Sequence, residues 1–366
     1  MSVILKDLIN FIEERYPKKY AEEYDNVGLL VGDENNKINK ILVTVDITKE
    51  VIKEAIENKV NLIISHHPLI FKPIKNLNKK SSFATMIYDL IKNDINVYAL
   101  HTNYDIANDG MNDVISKKLN LKNVSVLEET NKEKLYKIIT YVPTKYAEEL
   151  KEALFNAGAG CIGKYDKCSF NVLGEGTFRP LNGTNPFIGQ INKLQRVEEI
   201  KIETIVTASN LNTVINTLVK NHPYEEPAFD IIKLENTLPQ GLGRIGYLDI
   251  PLSAKDFAMQ VKKIFNLKMI TLIGDKNKKI NKVAVIGGSG SDLINVAKSK
   301  GCDLILTGDV KHHIAIDAIE NDIVVLDVTH FGLEQVFIED IYTLLTSNFD
   351  NIEVMKTYSK QPFYFI

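Results

Sequence analysis

Residues 38 to 67 and 280 to 309 align without a gap: INKILVTVDITKEVIKEAIENKVNLIISHH against INKVAVIGGSGSDLINVAKSKGCDLILTGD. In each copy a β-rich run, Ile41 to Val45 or Val283 to Ile286, turns into a helical pattern and then into a second apolar run, Leu62 to Ile64 or Leu304 to Leu306. That rhythm predicts a βαβ unit present twice. A third strand-like run follows each copy, INVYALHTNYD from Ile95 and IVVLDVTHFGLE from Ile323. Strands alternating with helices of this length imply mostly parallel sheets with right-handed crossovers. The expected fold class is α/β, with two similar halves forming the main body.

Residues 131 to 239 keep a different rhythm. KLYKIITYVP reads as a strand, KYAEELKEALFNAGAG as a helix closed by glycines, and KCSFNVLGEGTFRPL as strand material with a turn. IKIETIVTA, LNTVINTLVKN and AFDIIKLE then add strand, helix and strand. The order β-α-β-β-α-β predicts an inserted ferredoxin-like (α+β) module, with Pro239-Gln240-Gly241 as a hinge back to the main body. The expected domains are therefore residues 1–130, the insert 131–239, and residues 240–366.

Composition narrows the function classes. With 45% hydrophobic residues, 25% charged residues and a formal net charge of -3, the chain is that of a soluble globular protein without the basic stripe of a nucleic-acid binder. Val3, Ile4, Leu8, Ile9 and Ile12 stand at helical spacing among charged residues, which predicts an amphipathic helix rather than a signal peptide. No apolar run approaches a membrane span, so a cytoplasmic location is expected. Cys161, Cys168 and Cys302 match no zinc or redox spacing and are read as reduced packing residues.

Ligands of open α/β sheets gather beyond the carboxyl ends of the strands. His66 and His67 follow the strand ending at Ile64, His101 and Asp105 follow the one ending near Leu100, and His330 and Glu334 follow the one ending near Val328. Imidazole with carboxylate suits zinc, iron or manganese rather than calcium. Adjacent side chains at a strand end tend to diverge, so His66 and His67 are expected to serve two ions. His330 and Glu334, four apart, share a face on a helical turn. A bridging carboxylate, Glu334 or Asp105, would hold the two ions roughly 3.5 to 4 Å apart.

These residues lie in motifs that resemble the Nif-three-like family, whose members are described as GTP cyclohydrolase 1 type 2 homologues. The motifs are YDNVGLLVG (24–32), SHHP (65–68), HTNYD (101–105), GLGRIGYL (241–248), GGSGSD (287–292), TGDVKHH (307–313) and THFGLE (329–334), so the resemblance covers nearly the whole chain. It implies that His66, His67, Asp105, His330 and Glu334 ligate two divalent metals. It also implies a homohexameric ring with the metal sites facing its cavity. The middle segment is similar to the CutA-like and PII-like insert of longer members, most clearly in NHPYEEPAFDI (221–231). Tyr24 departs from the tryptophan common in the family.

Other features are open to two readings each. The glycines of VIGGSGSD can bring backbone amides to a phosphate, with Ser289 as a substrate contact, or make only a tight turn. His101 is either a partner of a ligand or a general acid/base, and His312 and His313 either reach the same cleft or form a solvated pair. His101 and His313 are the candidate catalytic residues. His222 reads as turn chemistry, and Glu225 and Glu226 as a solvated or interface face. The leading expectation is a metal-dependent hydrolase acting on a small-molecule substrate, either opening the GTP ring or cleaving a nucleotide or phosphoester. The alternative is a non-catalytic protein that stores, senses or delivers metal or serves as an interaction module.

Overall fold

The computed structural model describes residues 2–163 and 165–363. They divide into two compact units: one runs up to Asn131 and resumes at Gln240, the other is Lys132–Pro239. The chain passes between them in two long strands, Lys122–Pro143 and Phe229–Ser253. Pro239, Gln240 and Gly241, expected as a hinge, lie inside the second of these strands. Gly241 is required there by close approach, because a Cβ would sit 1.9 Å from the Glu128 carbonyl oxygen.

The main unit holds a five-stranded sheet in the order Glu353–Lys356, Lys40–Thr44, Leu62–Ser65, Asn96–Ala99 and Gly28–Val31. The first four are parallel and the last is antiparallel. The C-terminal strand thus completes the sheet of the N-terminal repeat. The second repeat supplies Lys279–Val285, Leu304–Thr307 and Val324–Asp327, parallel to one another, with antiparallel neighbours Thr271–Ile273 and the strand ending at Ser253. The helical parts of the repeats differ. Lys49–Glu57 has nine residues, whereas Ile294–Ser299 has six because the glycine loop and the turn Ser291–Leu293 consume the rest.

Successive strand residues face opposite sides of a sheet, and here both sides are covered. Ile41, Val43, Leu62 and Ile64 share one buried core with Val283, Val285, Leu304 and Leu306 and with the helix Val336–Asn348. Leu42, Ile63 and Val97 face the other way, into a core with Val51, Ile52 and Leu90. That two-sided burial explains why these strands read as unbroken apolar runs. At the N-terminus, Val3–Ile4 form a short strand against Lys37–Ile38, and the helix begins at Leu5. Their β-branched side chains favour extended backbone.

The second unit follows the order strand, Ala147–Asn156, Ser169–Phe178, Gln195–Thr207, Leu211–Asn221, strand, and its sheet neighbours run Phe229–Ser253, Lys122–Pro143, Gln195–Thr207, Ser169–Phe178. Leu150, Leu154, Val214 and Leu218 of its helices bury against Ile138, Val142, Ile202 and Val206. Of the three free cysteines only Cys302 is buried; Cys161 is exposed and Cys168 half-buried, so packing accounts for one of them. Among the described residues no helix is long and apolar enough to cross a membrane.

Candidate metal centre

Backbone bonding carries the order of the strand Leu62–Ser65 into the histidines beyond it. The amides of His66 and His67 donate to the carbonyls of Thr44 and Val45, at 3.2 and 3.0 Å. The chain bends there, and the Ser65 hydroxyl donates to the His67 carbonyl at 2.8 Å. The two rings consequently stay 5.0 Å apart instead of diverging. His101 precedes the helix Thr102–Ile106, which carries Asp105 inward. His330 and Glu334 sit on one short helix, His330–Glu334. Thr329 before it adopts φ +64°, a left-handed conformation costly for a β-branched residue, of order 1–3 kcal/mol. Asp327 and Gly332 hold it by hydrogen bonds of 2.9 and 3.2 Å.

Each of the four imidazoles of the site has its Nδ1 engaged. His66 donates to the Leu100 carbonyl at 2.7 Å, His67 to Asp46 at 2.7 Å, His101 to Asp25 at 2.9 Å and His330 to Asp309 at 2.7 Å. Carbonyls and carboxylates only accept, so the proton resides on Nδ1 and Nε2 turns toward a common centre. There, Nε2 of His330 and His67 lie 2.9 and 3.2 Å from the two oxygens of Glu334, and His66 Nε2 is 3.6 Å from the first of them. His66 Nε2 is also 3.8 Å from Asp105 Oδ1.

The donor atoms form two overlapping groups, His66/His67/His101 and His67/His330/Glu334, each with all atoms within 4.8 Å of one another. His66 Nε2 and Asp105 Oδ1 are buried and make no hydrogen bond to the described residues, and buried Glu334 Oε2 faces only the His67 imidazole, at 3.2 Å. The Nε2 atoms of His67 and His330 face each other at 3.2 Å. One protonated and one neutral ring can share an N–H···N bond there, whereas two neutral nitrogens would oppose lone pairs and two protonated ones would oppose charges. A divalent cation satisfies both nitrogens and the buried oxygens at once, so the residues present fit such an ion.

Without one, protons take its place. Burial disfavours the charged form of His67, but its bonds to Asp46 and Glu334 outweigh burial and raise its pKa to about 10; His330 rises to about 9 for the same kind of reason, through Glu334 and Asp309. Glu334 is held well below the usual carboxylate range, burial being overcome by His330, His66 and His67. Burial pushes Asp105 up against the pull of His66 and His101. Metal must therefore displace protons at neutral pH. Calorimetry in buffers of different ionisation heat is expected to show proton release on zinc or manganese binding, and affinity that climbs with pH through about 9 to 10. The metal-free fold has the opposite sign: raised histidine pKa values stabilise it fully below about 6.5, and that contribution fades as pH passes about 9 to 10. Affinity independent of pH would contradict the protonated cluster.

The glycine loop reaches the same place. A Cβ on Gly288, at φ +66°, would lie 2.8 Å from Glu334 Oε1, so this position admits the carboxylate only as glycine. Ser289 beside it is exposed. His312 and His313 open the exposed start of the helix His312–Glu320, and neither belongs to the two donor groups. His101, read from sequence as a partner or acid/base, stands among the donors themselves. Sequence reasoning missed Asp25, Asp46 and Asp309, which orient the rings. Asp25 also accepts from the amide of Thr102, and hydrogen bonds from His101 and Thr102 overcome burial to bring its pKa down to about 2. Tyr24, next to it, is exposed against Phe71, so no core packing rests on that position.

Fold and site together define an α/β protein with a buried imidazole–carboxylate centre able to hold metal. The family model described as Duf34/NIF3 (NGG1p interacting factor 3) matches residues 3–362, and the chain belongs to that family. It is 41% identical over 367 residues to a Halalkalibacterium halodurans protein described as GTP cyclohydrolase 1 type 2 homolog, covering 98% of each chain. A Bacillus subtilis protein of the same description is 42% identical, with 94% of this chain and 93% of that one covered. Among solved structures, a Bacillus cereus protein related to NIF3 superposes with TM-score 0.84 at 39% identity and 99% coverage of both chains.

Proposed function

We propose that the protein is a metal-dependent hydrolase with two divalent ions, zinc, iron or manganese, shared among His66, His67, Asp105, His330 and Glu334. The observation that carries the reading is the set of four Nε2 atoms and two carboxylates turned toward one centre with their outer partners already in place. Ions held there would polarise the scissile bond and lower the pKa of water. Glu334, touching three imidazoles, would hold ions beside both donor groups. His101, fixed at Nδ1 by Asp25, presents Nε2 as the atom that holds and returns a proton during turnover.

The name of the relatives points to hydrolytic opening of the GTP ring as the first reaction to try. The unit Lys132–Pro239 is assigned as a ferredoxin-like insert from its chain and sheet order, and the two repeats as similar α/β halves. A homohexamer is the assembly this reading expects. Metal-loaded protein is expected to release formate from GTP or phosphate from a nucleotide or phosphoester, with turnover in His101→Ala falling further than its metal content. Full metal content with no turnover on either class would replace the hydrolase by a metal-handling protein.

A further inference from the structure

The unit Lys132–Pro239 contains a cavity of about 570 Å³, within the range of small-molecule sites. Phe178, Phe187 and Tyr224 line it. Their rings are inclined, with centroids 5.5 Å apart for Phe178 and Tyr224 and 6.5 Å for Phe187 and Tyr224. Phe187 remains 50% exposed although it is large and apolar. Tyr224 is fixed from behind the sequence by His222, which is buried, accepts the Tyr224 amide at Nδ1 and donates from Nε2 to the Tyr141 carbonyl.

Glu199 lies among these rings and is only 8% exposed. Its Oε1 accepts the Tyr224 hydroxyl at 2.6 Å. Its Oε2 has no hydrogen-bond donor and no cationic partner among the described residues. Gly176 leaves room for that oxygen, since a Cβ there would stand 2.0 Å from it. The other charged groups of the lining are Glu175, Glu225, Glu226 and Arg179. Glu175 is already paired with Arg196 at 2.6 Å, and Glu225 accepts the Asn185 amide at 2.9 Å. The cavity is thus aromatic, acidic on balance, and holds a largely buried carboxylate whose second oxygen takes no hydrogen bond from a described residue.

We infer that this cavity binds a small organic cation, an amidinium, guanidinium or protonated amine on a flat or apolar body, which donates to Glu199 Oε2 and lays its body against Phe178, Phe187 and Tyr224. A charge-assisted hydrogen bond to a buried carboxylate and cation–π contact reward the same ligand. An anion would meet four carboxylates against one lining guanidinium. This site lies within Lys132–Pro239, apart from the residues of the metal centre.

The test titrates benzamidinium and its neutral counterpart benzamide into the whole metal-loaded protein by calorimetry. Benzamidinium is expected to bind about tenfold or more tightly than benzamide, the difference that one charge-assisted hydrogen bond supplies. Glu199→Gln should erase that preference, with circular dichroism and metal content unchanged. Phe187→Ala, at a half-exposed position that folding tolerates, should weaken benzamidinium several-fold. Equal affinity for the two probes, unchanged affinity in both variants, or no saturable binding of benzamidinium overturns the inference.

Discussion

Glu334→Ala is expected to abolish stable metal binding, with affinity lowered by more than about 100-fold. Replacing a residue that only orients a ligand costs about 10–100-fold. Glu334 contacts three imidazoles directly, two of them through opposite oxygens, so its loss affects both donor groups. Asp46→Asn is the internal comparison. It weakens the acceptor for His67 Nδ1 and keeps every donor atom, so it should fall within the range of an orienting residue. Elemental analysis after equilibration with zinc or manganese separates the two variants. Equal metal content in Glu334→Ala and the parent would show that the ions are held without it.

Arg244→Met is expected to destabilise the fold by about 3–5 kcal/mol, the usual cost of stripping one partner from a buried ion pair. Arg244 is 1% exposed, yet every arm of its guanidinium is used. Nε and Nη2 donate to Asp113 at 3.0 and 2.8 Å, Nη1 to the carbonyls of Gly241 and Gly243 at 2.8 and 2.9 Å, and Nη2 also to the carbonyl of Ala107 at 3.0 Å. Ala107 closes the helix that carries Asp105, and its carbonyl accepts both the guanidinium and the Gly110 amide at the helix end. Asn112 continues the link, donating to the Asp105 carbonyl and accepting the Gly287 amide. Urea unfolding of the metal-free protein measures the loss directly. Arg244→Lys keeps the charge and loses the fork, and should fall between parent and Met. A Met variant within about 1 kcal/mol of the parent would mean that the cluster is replaceable by packing.

What the sequence made legible, and what it did not, follows from range. The gapless repeat exposes the two sets of parallel strands because two-sided burial forces unbroken apolar runs, and strand ends then mark where His66, His101 and His330 emerge. The strand Glu353–Lys356 could not be assigned to the first sheet from its pattern, because parallel pairing with Lys40–Thr44 joins the two ends of the chain. The carboxylates that orient the rings were equally hidden. Asp25 lies 76 residues from His101, while Asp46 and Asp309 lie 21 from His67 and His330, in a chain with 47 acidic residues. Arg244 shows the same limit, since a lone arginine in GLGRIG reads as a surface residue until Asp113 and three carbonyls surround it.

The most direct measurement is anomalous diffraction from crystals of the zinc- or manganese-loaded protein, collected at the metal edge. Two peaks roughly 3.5–4 Å apart, both within reach of Glu334, are the predicted result. A single peak, or none within reach of Glu334, would contradict a two-ion centre.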